Sequence, residues 1–334
     1  MEELSEQLQA ARIAEPTSVP FTPKARVHWK YLKLSPIPRY LFRVYEPSSD
    51  GFTSDEWVKS RDAVNAEGTA LEDVFQTNDP PAAATMIYRH LDWAGDANSG
   101  DNLMSGTSSL LYALQYIFYR HARQRGTSCL EDIRLCIADT TYFSERVFIR
   151  DMDLIDAVDR FSPKLMHFKT LRQSGVYYFG EYLSQGALRI TGACTNVSAQ
   201  DLIGWVLLRL RREFGEAYGN ARYGWAKAVV NARVAIRGSS SQVMPRELIS
   251  AAIRISHLFD EGWSLHIAIN LVALVTGQLD LGAIMKYFRG NFTSRRCSCY
   301  TLCFGMLTVV YRHPIRILRT SLHQHRALRS DDRG

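Results

Sequence analysis

Residues 176–191, VYYFGEYLSQGALRIT, set the tightest condition on the fold. Tyr177, Tyr178 and Phe179 lead through Gly180 into Glu181, and Gly186 follows five residues later ahead of an alternating run. The pattern predicts a strand carrying one carboxylate, a turn or bulge at Gly186, and a second short strand. A carboxylate among aromatics is costly to bury without a partner. Either Glu181 faces water from an edge strand, or distant parts of the chain, with Arg43 and Ser105 the candidates, supply groups that hold it.

A chain of 334 residues with 46% apolar content can bury a substantial core, as one large domain or two ordinary ones. Its formal charge of +6 is concentrated in residues 291–334, where eight Arg stand against Asp331 and Asp332, so residues 1–290 balance. An electrostatic case for nucleic-acid or membrane binding therefore concerns the tail. Cys129, Cys136 and Cys194 lie singly in apolar settings, which predicts reduced, packed thiols. Cys297, Cys299 and Cys303 crowd the tail without the spacing of a zinc site, and no metal is expected. The start, MEELSEQLQAARIA, lacks a secretory pattern, which predicts an intracellular protein, cytoplasmic or nuclear. The stretches 264–285 and 298–311 are the most apolar. The first is interrupted by polar residues, the second is shorter than the about 20 residues a spanning helix needs, and no transmembrane segment is expected.

Four segments follow. Residues 1–35 read as a short helix and a Pro-containing basic connector. Residues 36–197 read as an α+β domain, residues 198–290 as a helical extension, and residues 291–334 as a basic tail of poor order. Within the second segment, YLFRVYEP is a strand closed by a turn at SSDG, and residues 52–85 are helix and loop with a break at Pro80-Pro81. Leu110, Ala113, Leu114, Ile117, Phe118 and His121 recur at helical spacing, so a helix should start near Ser108 or Ser109 and end by Gly126. A strand over 133–138 and a short strand and helix in ERVFIRDMDLIDAV complete the domain. In the extension, Ser198 can cap a helix over 199–214, a second runs over 223–236, and a third starts at Pro245 and ends at Gly262. GSSSQ between the last two is a loop. GxGxxG, P-loop, HExxH and GxSxG motifs are absent from the sequence, which removes the cheapest support for the corresponding enzyme classes.

Arg43 in the first strand, Ser105 with Thr107 and Ser108 in the turn that opens a helix, and Glu181 on a late strand stand in a meaningful order. LFRVYEPSSDGF, MSGTSSLLYA and GEYLSQGAL resemble the Arg-Ser-Glu plan of ADP-ribosyltransferases, in particular the branch that includes cholera toxin. More closely, FRVYEP, NLMSGTSSLLYALQYI, CIADTTYF and YYFGEYLSQGAL resemble an uncharacterised domain family of filamentous fungi over roughly residues 36–270, a family with no established activity.

The ADP-ribosyltransferase resemblance implies two small β-sheets with flanking helices and NAD as co-substrate. Cleavage of its N-glycosidic bond passes through an oxocarbenium-like state that a carboxylate stabilises, and the resemblance assigns that carboxylate to Glu181. Arg43 would grip the NAD phosphates or ribose with its planar fork of donors, and pair with Glu181. Ser105 would hold Glu181 and the ribose, and Thr107 and Ser108 would share in binding the nucleotide. The chain departs from the plan at Phe179, where arginine-modifying members carry Glu or Gln, and in reading Ser-Gly-Thr-Ser for Ser-Thr-Ser. The acceptor is then another protein or nucleic-acid group, or water. A module that binds a nucleotide or protein without catalysis is the alternative. His90 in YRHLDW reads as a packed or surface histidine with catalysis as the less common case, and Asp151 and Asp153 as helix-starting residues.

Overall fold

A computed structural model describes residues 18–23, 32–93, 100–123, 129–204, 207–210, 214, 224–237, 245–275 and 281–292. The aromatic and β-branched run YLFRVY forms β1 (Tyr40–Tyr45). After it come β2 (Phe52–Thr53), β3 (Trp57–Lys59), β4 (Leu103–Thr107), β5 (Arg134–Asp139) and β6 (Ile149–Arg150), then β7 (Glu181–Gln185), β8 (Ala187–Arg189) and β9 (Cys194–Ser198). One antiparallel sheet has the order β6-β7-β4-β1-β5-β9, and a second, of three strands, the order β2-β3-β8. The expected strand–turn–strand at Gly186 therefore divides between two sheets. Gly186 has φ +73°, and a Cβ there would sit 2.7 Å from the Ala70 carbonyl oxygen, so the crossing requires glycine.

Helices α1 (Pro80–Leu91), α2 (Leu110–Arg123), α3 (Asp151–Val158) and α4 (Pro163–Gln173) flank the main sheet. Ser109 caps α2 by accepting from the Tyr112 N–H at 3.2 Å, as the Ser/Thr run predicts. The expected break at Pro80-Pro81 is a helix start: Asp79 accepts from the Ala82 N–H at 3.0 Å, and both prolines sit where a helix needs no N–H donor. Residues 52–85 also contain β2 and β3, too short to show an alternation in the sequence.

The extension comprises α5 (Ala199–Gly204), α6 (Leu207–Leu210), α7 (Trp225–Arg237), α8 (Arg246–Ser256), α9 (Glu261–Val272) and α10 (Leu281–Asn291). Ser198 caps α5 through the Asp201 N–H at 3.0 Å. Helix α8 stops at Ser256, and Gly262 lies in the first turn of α9, where it terminates nothing. One apolar cluster runs without interruption from Phe42, Leu114 and Ile137 into Val229, Ile255 and Phe288. The α+β fold and its helices thus share a core, each large side chain in it contributing about 1.5–3 kcal/mol by burial. A second cluster fills the other end of the sheet and includes Phe21, Ile87, Ile149 and Leu183. Phe21 is fully buried and its N–H donates to the Arg146 carbonyl at 2.8 Å, which ties this part of the connector to the domain. Cys129 is exposed, contrary to the packed thiol expected; Cys136 is buried.

The N-terminal helix, the GSSSQ loop, the tail beyond residue 292 and its three cysteines lie outside the described residues. Among the described residues, no helix is long and apolar enough to cross a membrane, and no cluster of His, Cys, Asp and Glu could hold a metal ion.

Candidate active site

Strand β7 lies between β6 and β4, so Glu181 is not on an edge. Thr107 stands opposite Glu181 and Ser105 opposite Leu183, which makes Ser105 and Glu181 diagonal neighbours on one face. Their side chains meet: the Ser105 hydroxyl lies 2.7 Å from Glu181 Oε1. Thr107 and Ser108 serve the backbone that delivers Glu181. Buried Thr107 donates to the Phe179 carbonyl at 2.6 Å and accepts from the Ser109 N–H at 3.0 Å. The Ser108 N–H donates to the Gly180 carbonyl at 2.8 Å, and its hydroxyl reaches the same oxygen at 3.3 Å. Gly180 makes this approach possible, with φ +69° and room for no Cβ: one would lie 2.2 Å from Ser108 Oγ.

The contact continues on both sides of this pair. Ser105 Oγ is 2.8 Å from His90 Nε2, and His90 Nδ1 is 2.7 Å from Asp101 Oδ2. A serine hydroxyl has one proton, so it donates either to Glu181 or to His90. Donating to Glu181 Oε1, it meets His90 Nε2 through its oxygen, as an acceptor. Burial pushes the Asp101 carboxyl up, but the His90 charge, its hydrogen bond and the Leu103 N–H outweigh burial and hold it below the ordinary carboxylate value. On the far side, Glu181 Oε2 accepts from Arg172 Nη2 at 2.6 Å, while Arg172 Nη1 bonds Asp151, the fully buried first residue of α3. The row Asp101–His90–Ser105–Glu181–Arg172–Asp151 is a continuous line of side chains drawn from five elements and a loop.

The arginine that pairs with Glu181 is therefore Arg172, from the last turn of α4, and not Arg43 as expected. Arg43 shares its sheet face with Tyr45 and Cys136 by alternation, opposite to Phe42, whose register partner on β4 is Thr107. Its guanidinium donates from Nη1 to the Ser105 carbonyl at 2.7 Å and from Nε to Thr53 Oγ1 at 3.2 Å. Burial lowers its pKa from the ordinary arginine value, partly offset by Cys136, Tyr116, Tyr45 and Asp101. Among the described residues no carboxylate forms an ion pair with it, and it is among the residues that line the cleft.

These groups line a cleft of about 1000 Å³. Tyr112, Tyr116 and Tyr119, at four- and three-residue spacing, turn one face of α2 into an aromatic wall, with Phe179 5.0 Å from Tyr112 between ring centres. Burial raises the Tyr112 hydroxyl well above its usual pKa, and the nearby Glu181 charge adds to this. Helix α7 closes that end: Trp225 lies 5.5 Å from the Phe179 ring, and Arg233 donates to the Tyr178 carbonyl at 2.8 Å while covering Phe179 at 5.1 Å. A smaller cavity of about 450 Å³ near Thr22, Asp73 and Gln76 has its polar groups bonded to one another.

Sequence reasoning identified Arg43, Ser105 and Glu181, and the structure brings the last two into contact and anchors the first on the Ser105 backbone. It passed over Asp101, Arg172 and Trp225, and treated His90 as packing. The tyrosine stripe on α2 was a readable signal for the cleft wall; nothing in the sequence marks Arg172.

The fold and site define an α+β protein with a carboxylate held at the floor of an aromatic- and arginine-lined cleft. A domain described as Domain of unknown function (DUF7587) covers residues 36–199, the segment that carries all six members of the row and Arg43. No curated protein and no solved structure matches the chain.

Proposed function

We propose that the protein consumes NAD, as an ADP-ribosyltransferase or an NAD glycohydrolase, with Glu181 as the catalytic carboxylate, Ser105 as the group that orients it and Arg43 as the anion anchor. The observation that carries this reading is the Ser105–Glu181 hydrogen bond at 2.7 Å in a cleft that Arg43, half-buried and without an ion pair among the described residues, also lines. A carboxylate held at a fixed oxygen by a serine hydroxyl is suited to stabilising positive charge that develops on a ribose ring. In the reaction the C1′–N bond breaks, nicotinamide leaves with the bonding pair, and an acceptor or water supplies a pair to C1′ and loses its proton to solvent. Arg43 would neutralise phosphate during this step, since its Nη2 has no hydrogen-bond partner among the described residues.

Ser105, His90 and Asp101 also have the spacing of a nucleophile, base and orienting acid. Ser105 lies in the middle of a sheet strand, however, with Glu181 2.7 Å from its oxygen. An acyl-transfer nucleophile needs an exposed turn with free N–H donors for the oxyanion, and a carboxylate at that distance would oppose the negative charge.

The test is nicotinamide release from NAD by the full chain, wild type beside Glu181→Gln. Wild-type release that falls at least about 100-fold in the variant supports the reading, a loss of the size expected for removing a preorganised charge-stabilising group. Absence of release together with absence of NAD binding by calorimetry overturns it and leaves a non-catalytic recognition module as the function of the cleft.

A further inference from the structure

The mouth of the cleft carries features that the reaction at Glu181 does not use. Trp93 follows the C-terminus of α1 with φ +53°, a left-handed conformation that glycine normally occupies and that a bulky side chain rarely adopts. It is half exposed, yet its indole stacks on Trp225 at 5.6 Å with 27° between the planes, and touches Tyr116 at 5.5 Å. A large aromatic in strained backbone and in contact with water is the kind of local cost that persists at ligand sites. Arg89, in the last turn of α1, is exposed and lines the same cleft as Trp93. Among the described residues it forms no ion pair, whereas the neighbouring Arg61 and Arg120 are matched by Asp50 and Glu46.

We propose that Arg89, Trp93 and Trp225 form a second ligand subsite for a nucleotide, the base lying on the indole pair and the phosphate on Arg89. A planar ring is what the half-open Trp93 face accommodates, and stacking on aromatics tolerates any base. The Arg89 guanidinium, without an ion pair among the described residues, supplies the bidentate donors that a single phosphate takes. The ligand is nucleotide-sized, since one indole pair and one guanidinium offer contacts to a single ring and a single phosphate. The cleft, about 1000 Å³, stands at the upper limit of ordinary ligand sites, which leaves space beside a group held at Arg43 and Glu181. Trp225 also touches Phe179, two residues before Glu181, so the subsite adjoins the reaction centre. Its role as the acceptor position rests on the NAD-cleaving reading; its existence does not.

The experiment titrates the full-length Glu181→Gln chain, whose turnover the NAD reading expects to be at least about 100-fold slower, with adenosine monophosphate in saturating NAD and follows tryptophan fluorescence. Saturable quenching is expected, weakened about tenfold or more in Trp93→Ala, as loss of a stacking partner does, and likewise in Arg89→Ala. Both residues are exposed, so these variants should fold; circular dichroism checks this. Ribose 5-phosphate and adenosine, each lacking one half of the ligand, should bind at least about tenfold more weakly. A 5′-phosphorylated oligonucleotide that binds more tightly than the mononucleotide assigns the subsite to a strand end, and equal or weaker binding assigns it to free nucleotide. Quenching unaffected by Trp93→Ala and Arg89→Ala, or complete loss of adenosine monophosphate binding in saturating NAD, overturns the proposal. A wild-type chain that neither releases nicotinamide nor binds NAD but keeps the Trp93-dependent binding refutes the NAD reading alone.

Discussion

Arg172→Met tests whether the line of charged side chains holds the site together. Arg172 bridges two carboxylates, and the three side chains are 11%, 0% and 17% exposed for Arg172, Asp151 and Glu181. Asp151 Oδ1 has no hydrogen-bond partner among the described residues, so Arg172 provides the compensation for a fully buried charge. Removing one partner of such a pair costs about 3–5 kcal/mol, because the remaining charge cannot reach water. The double variant Asp151→Asn with Arg172→Met removes that stranded charge, and Glu181, at the cleft floor, can be hydrated. It should therefore be more stable than Arg172→Met alone, with a coupling of about 1–3 kcal/mol in the complete cycle. Urea unfolding of wild type, the two single variants and the double variant gives all four free energies. A loss below about 1 kcal/mol in Arg172→Met, the size of an exposed pair, would refute the reasoning, as would single effects that add to within about 0.5 kcal/mol.

Gly180→Ala places a Cβ at φ +69° and 2.2 Å from Ser108 Oγ, and should cost about 1–2 kcal/mol in backbone strain alone; adding Ser108→Ala should relieve only the steric part, which thermal melts of the three variants would resolve. His266 lies 5.3 Å from the Tyr40 ring, and burial, then the Arg39 charge, hold its pKa below the ordinary histidine value against a smaller opposing pull from Asp139. Its folded pKa is the lower one, so the unfolded chain takes up more protons, and stability present above about pH 6.5 should decline as pH falls through and below that value. His266→Gln should flatten this part of the stability–pH curve, and an unchanged slope would contradict the assignment.

The elements that sequence reading found are those with a local signature. The aromatic run of β1, the capped period of α2 and the paired glycines around β7 each speak within about a dozen residues, because propensity, capping and turn chemistry are local. Strands β2 and β3, of two and three residues, fall below the length at which alternation exists. Gly262 looked like a helix stop because glycine favours that position, yet in the first turn of α9 its flexibility costs little. The site divides in the same way. Glu181 and Ser105 stood out through the residues around them. The wrong partner was given to Glu181 because a guanidinium was sought on a strand of the sheet, whereas Arg172 reaches it from α4, where it also bonds Asp151. His90 and Asp101 gain meaning only when α1 is laid against β4, a contact that no spacing in the chain announces.

The boundary of the matched domain at residue 199 does not coincide with the boundary of the site. Trp225 supplies part of the cleft wall, and Arg233 holds the carbonyl of Tyr178, three residues before Glu181. The same α7 packs Val229 into the cluster that buries Leu114 on α2, and α2 carries the tyrosines that face the cleft on its other side. A helix fixed on one side by the extension's core can present a rigid aromatic face on the other, since both faces move together. The extension therefore acts on the site through two physical links: a direct hydrogen bond to the segment delivering the carboxylate, and the packing that sets the position of the wall. The unit that forms the cleft is accordingly the domain together with its helices, and the apolar surface they share is what makes the cleft's geometry a single cooperative property.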